Sequence, residues 1–104
     1  MKPKEFPEQA LLAPLLGNEV ILKFDGLEFP TRLLSAELQK LTGLANPPDK
    51  RMNAEGKMYT PKCLRLVCEA GALVMCIEDY KFVAVHKGVA FMFDSYTLEV
   101  RLAS

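Results

Sequence analysis

The chain has no tryptophan, a single histidine and three cysteines, and its 13 basic and 13 acidic residues leave a formal net charge of zero. Each shortage narrows the range of functions. Cys63, Cys68 and Cys76 are odd in number and lack a C-x-x-C spacing, which argues against both a disulfide framework and a zinc site. A neutral chain has no long-range field to draw it to nucleic acid or to an anionic membrane surface. No apolar run is long enough to span a bilayer, and the opening Met1-Lys2-Pro3-Lys4-Glu5 lacks the apolar stretch of a secretory signal. There is no phosphate-binding glycine loop and no catalytic signature, so no cofactor and no metal are expected. These features point to a cytoplasmic protein whose cysteines are buried free thiols.

What is present is ordinary globular material: half the residues are apolar and a quarter are charged. A length of 104 residues suits one domain, 1–104, able to bury a core without metals or disulfides. Four turn signals, Ala70-Gly71, Asp79-Tyr80, Lys87-Gly88 and Asp94-Ser95, recur at hairpin spacing through 63–102. Between them lie runs rich in valine, leucine, isoleucine and phenylalanine, which suit a pleated, half-buried surface. The spacing predicts a five-stranded antiparallel meander with two-residue loops. Cys68 then faces Leu73, Ile77 faces Phe82, His86 faces Val89, and Phe93 faces Tyr96.

Side chains alternate between the faces of a strand, so this register sorts the whole region by parity. One face gathers Leu64, Leu66, Cys68, Leu73, Met75, Ile77, Phe82, Ala84, His86, Val89, Phe91, Phe93, Tyr96, Leu98, Val100 and Leu102, and is the core face. The other carries charges towards strand ends and an aliphatic middle that includes Val67, Val74, Val83, Val85 and Met92. Two occupants suit that middle: another part of the same chain, or a partner or second copy.

Upstream, Pro7 and Glu8 suit a helix start and Pro14 ends the helix, giving a short helix near 7–13 within a helical segment 1–17. Asp25-Gly26 between alternating apolar residues is a preferred type I′ hairpin signal. Pro30 lacks a backbone donor and puts the second strand at a sheet edge, or ends it. Ser35 as N-cap, Leu38 and Leu41 on one face and Gly43 as terminator predict a second helix over 36–42, completing the 19–43 unit. The stretch 44–62 reads as a long structureless loop with a basic bias from Lys50, Arg51, Lys57 and Lys62. The expected fold class is α+β: an antiparallel meander plus an N-terminal hairpin, with two short helices and partial closure into a barrel as a variant.

Candidate chemistry is sparse. His86 falls at a strand end on the apolar face with no nucleophile placed beside it. Cys63 sits next to the basic loop, where Lys62 favours a thiolate. The leading expectation is a non-enzymatic interaction module that docks another protein or a second copy of itself. It would use the loop residues Lys50, Arg51, Lys57 and Lys62, or the sheet face at Val67, Val74, Val83, Val85 and Met92. The alternatives are a nucleic-acid-associated protein using the basic loop, which lacks interleaved aromatics, and a small ligand-binding barrel or enzyme with a site near His86.

Overall fold

The computed structural model describes residues 7–40 and 51–104. A one-turn helix, α1 (Gln9–Leu12), runs into a 3₁₀ turn at Ala13–Leu15. Pro14 has no N–H to continue the α-helical ladder, which accounts for the change of pitch. Nine strands follow among the described residues: β1 (Glu19–Phe24), β2 (Leu27–Lys40), β3 (Arg51–Met52), β4 (Met58–Tyr59), β5 (Lys62–Cys68), β6 (Gly71–Cys76), β7 (Lys81–Val85), β8 (Gly88–Met92) and β9 (Thr97–Leu102). Among the described residues seven of them form one antiparallel sheet in the order β6-β5-β2-β1-β9-β8-β7, and β3 pairs with β4 in a separate ribbon. The architecture is therefore mostly β rather than α+β, and the sheet is open, with no barrel closure.

The long strand β2 joins the two halves. Leu27 to Arg32 pairs with β1, and the part from Leu33 onward pairs with β5. A bulge between Leu33 and Ser35 lies at the handover. The extra residue resets parity, so Leu33 and then Ala36 and Leu38 all face the core, while Leu34 is left exposed. The predicted helix over 36–42 does not form: residues 36–40 are strand, and 41–42 lie outside the described residues. After the bulge, Ser35-Ala36-Glu37-Leu38-Gln39 alternates with period two, and pairing with β5 outweighs the helical spacing of Leu38 and Leu41. Pro30 sits within β2 rather than ending it. Leu33 N–H donates towards β1, to Asn18, whereas the Arg32 carbonyl accepts from Glu69 on the other side. By alternation the missing donor of Pro30 points away from β1, past the tip of the β5–β6 hairpin, where no ladder needs it.

The five strands expected over 63–102 are all present, but they do not form a meander. Ile77 is not opposite Phe82; β6 and β7 are the two outer edges of the sheet, and the chain crosses between them through Ile77–Tyr80. The remaining hairpins are real. The β8–β9 register agrees with expectation, with Met92 facing Thr97 and Phe93 N–H donating to the Tyr96 carbonyl at 2.8 Å. The other two turns fall one residue earlier, at Glu69-Ala70 and His86-Lys87, which slides each register by two. A slip of two preserves parity, so the core face survives. Leu64, Leu66, Val89, Phe91, Leu98 and Val100 are buried in one cluster with Leu12, Leu15, Val20 and Leu33. The N-terminal helical turn thus covers the core face. At about 1.5–3 kcal/mol for each fully buried large aliphatic side chain, this cluster supplies the main drive to fold.

Candidate functional site

The β1–β2 hairpin turns as expected at Asp25 and Gly26, with φ of 49° and 84°, the pair of positive values that a type I′ turn requires. Its register pairs Phe24 with Leu27 and Leu22 with Phe29, and on its other side Phe24 meets Leu98 of β9. Phe24, Leu27 and Phe29 therefore share the core face, yet at this end of the sheet the described residues leave that face exposed. Leu27 is 61% exposed and Phe29 51%. The Tyr96 ring lies 4.8 Å from Phe24 and stacks on Phe93 at 4.5 Å, and Phe93 in turn meets Tyr80 edge-on at 5.8 Å. The result is a continuous aromatic seam that starts in the core and ends on the surface. The hairpin signal alone contained this site, since a two-residue turn at Asp25-Gly26 puts Phe24, Leu27 and Phe29 on one face.

The sheet-face residues named from sequence fall at opposite ends of the strand order. Val67 and Val74 lie on β5 and β6; Val83, Val85 and Met92 lie on β7 and β8. Val74, Val83 and Met92 are exposed, and Val67 and Val85 half-buried. Between the two groups run β2, β1 and β9, whose outer face is charged and ion-paired. Arg101 bridges Glu28 and Glu99, and Arg32 bridges Glu19 and Glu69. A shallow depression of about 230 Å³ opens around Arg32. Arg32 also donates to the Gly17 carbonyl at 2.7 Å, so protein acceptors already engage this guanidinium.

Within the basic stretch the described residues form the β3–β4 ribbon, rather than one structureless loop. Asn53 closes its turn, accepting from the backbone N–H groups of Glu55 and Lys57 through its side-chain oxygen. Lys50 lies outside the described residues, and Lys57 and Lys62 are exposed. Arg51 makes a bidentate pair with Asp79, at 2.6 and 2.8 Å, which holds that carboxyl below its usual range. The Tyr59 hydroxyl donates to Glu78 beside it, and this hydrogen bond raises the phenol's pKa. The ribbon is thereby tied to the Glu78-Asp79 segment of the crossover. Both carboxylates are committed to it.

His86 is exposed in the turn between β7 and β8, not opposite Val89 on the apolar face. The two-residue slide of that hairpin moved it there. The same kind of slide produces a juxtaposition absent from the expected register. With Cys68 facing Gly71, Cys63 comes directly opposite Cys76, and their Sγ atoms lie 3.4 Å apart. In the expected register Cys63 would have faced Glu78. Cys63 is fully buried, and burial together with the contact to Cys76 pushes its thiol up to about 12. Cys68 projects from the other face into the core, and burial raises it as well. Lys62 therefore does not make Cys63 a thiolate; desolvation wins. Among the described residues no group of three or more histidine, cysteine, aspartate or glutamate side chains is arranged to hold a metal ion, and no helix is long and apolar enough to cross a membrane.

Comparison with protein-family models, with curated proteins and with solved structures finds no match.

Proposed function

We propose that this chain is a protein-docking module, without catalysis, that seats an apolar side chain of another protein against Phe24, Leu27, Phe29 and Tyr96. The observation that carries this reading is the run of the aromatic seam out of the core and onto the surface, where Leu27 and Phe29 are more than half exposed. Exposed apolar residues scattered singly need no explanation, but a contiguous group anchored on packed rings has the make-up of an interface centre. The rings are held by their neighbours, so little side-chain freedom is lost on binding. A neutral net charge suits short-range apolar docking better than long-range steering.

The test is a photo-crosslinking amino acid at position 27, compared with the same group at Val83 on the opposite face. In cells, position 27 should give a discrete protein adduct that Val83 does not. Phe29→Asp should reduce that adduct at least about tenfold, because an aromatic side chain buried at an interface contributes about 1.5–3 kcal/mol. An adduct at twice the chain mass would identify the occupant as a second copy. Equal adducts at both positions, or none at 27, would refute the docking surface.

A further inference from the structure

We propose that Cys63 and Cys76 form a redox-modification site, a thiol pair that a hydroperoxide converts to an intramolecular disulfide without rearranging the fold. The inference is independent of the docking surface and rests on strand geometry. Cys68 and Gly71 close a two-residue turn and are a hydrogen-bonded pair, from which pairs alternate along the β5–β6 ladder. Counting outward makes Cys63 and Cys76 a non-hydrogen-bonded pair. The Ile77 N–H, which donates to the Lys62 carbonyl at 3.1 Å, confirms the phase from the other end. Directly opposed residues at such a site have Cα atoms about 4.5 Å apart, inside the roughly 4.4–6.8 Å span of disulfides. The Sγ atoms are already 3.4 Å apart and side-chain rotation alone must close the gap. Packing of two thiols needs no such alignment, and Cys68, on the other face, serves as an internal control that has none.

The difference in burial sets the order of events. Cys76 is partly exposed and Cys63 is sealed, with its thiol held protonated. The Cys76 thiolate attacks one oxygen of hydrogen peroxide, the O–O bond breaks, and the departing hydroxide takes up a proton to leave water and a Cys76 sulfenic acid. The Cys63 sulfur then attacks the Cys76 sulfur. Its proton leaves with the hydroxyl as a second water, and the S–S bond forms. Two thiols are oxidised, and one peroxide is reduced to two waters.

Intact-mass spectrometry of the full chain after mild hydrogen peroxide treatment, followed by peptide mapping under non-reducing conditions, tests this directly. The expected result is loss of two hydrogens, a peptide joining Cys63 to Cys76, and a Cys68 that stays a thiol and is alkylated only after unfolding. Reductant should restore the original mass, and in Cys76→Ala the same treatment should leave Cys63 a thiol. A gain of oxygen without a cross-link, disulfides between chains, or unchanged thiols in the folded wild-type chain would each overturn the proposal.

Discussion

Tyr80 shows what one side chain contributes here. Its ring is buried, packs edge-on against Phe91 at 5.0 Å, and its hydroxyl donates to the carboxylate of Glu8. Glu8 is itself only 4% exposed and precedes α1, so this bond fastens the N-terminal turn to the sheet across 72 positions of sequence. Tyr80→Phe keeps the ring and strands a buried carboxylate. It should cost about 1–3 kcal/mol in urea denaturation, and Glu8→Leu on that background should recover part of the loss. None of this pairing was legible in the sequence. Tyr80 reads locally as a turn former after Asp79, and Glu8 as an acidic first-turn residue, because neither local pattern carries information about a partner so distant. Phe24, Leu27 and Phe29 are the opposite case, since a two-residue turn between them is enough to align them.

At the scale of the strand, four of the five expected hairpins form, and two of them, β1–β2 and β8–β9, turn where the sequence places them. Asp25-Gly26 is legible because the positive φ values of its turn demand those residue types. Ala70-Gly71 and Lys87-Gly88 carry glycine as well, but in both the glycine begins the next strand instead of forming the turn. Gly88 has a different reason to be glycine. A Cβ there would lie 1.9 Å from the Val100 carbonyl oxygen and 2.6 Å from the Arg101 Cα, both backbone atoms of β9. Gly88→Ala must therefore push two strands apart, and it should destabilise the protein by about 3 kcal/mol, the upper end of overpacking costs. Thermal unfolding would measure it. Gly26 is the useful contrast, since a Cβ there meets nothing and only its backbone conformation is at issue. The helix predicted over 36–42 failed for a related reason: local spacing cannot announce a bulge, and it is the bulge that turns Ala36 and Leu38 inward.

For the molecule as a whole, parity carried the core and topology was invisible. Slips of two left Leu64, Leu66, Val89, Phe91, Leu98 and Val100 on one face, but no residue at Ile77–Tyr80 signals that the chain crosses to the far edge instead of folding back. Burial of Cys63 and Tyr80 gives the whole fold a pH limit. Both are raised above their ordinary values, 9.0 for the thiol and 10.0 for the phenol, because the interior disfavours the charged forms. Their contribution is complete below about pH 9 and is lost as pH climbs through the folded value of about 12 for Cys63. Urea midpoints should accordingly decline from pH 9 upward, and Cys63→Ala should flatten the early part of that decline. The strand order also has a consequence in time. β1 lies between β2 and β9 in the finished sheet, so during synthesis the early hairpin 19–32 must wait, with one backbone edge bare, until residues 97–102 have emerged. Closing so distant a pair is slow. A nascent or prematurely terminated chain therefore presents that bare edge to its neighbours throughout the wait, and it is at this stage that the protein is most open to misassembly or to a chaperone.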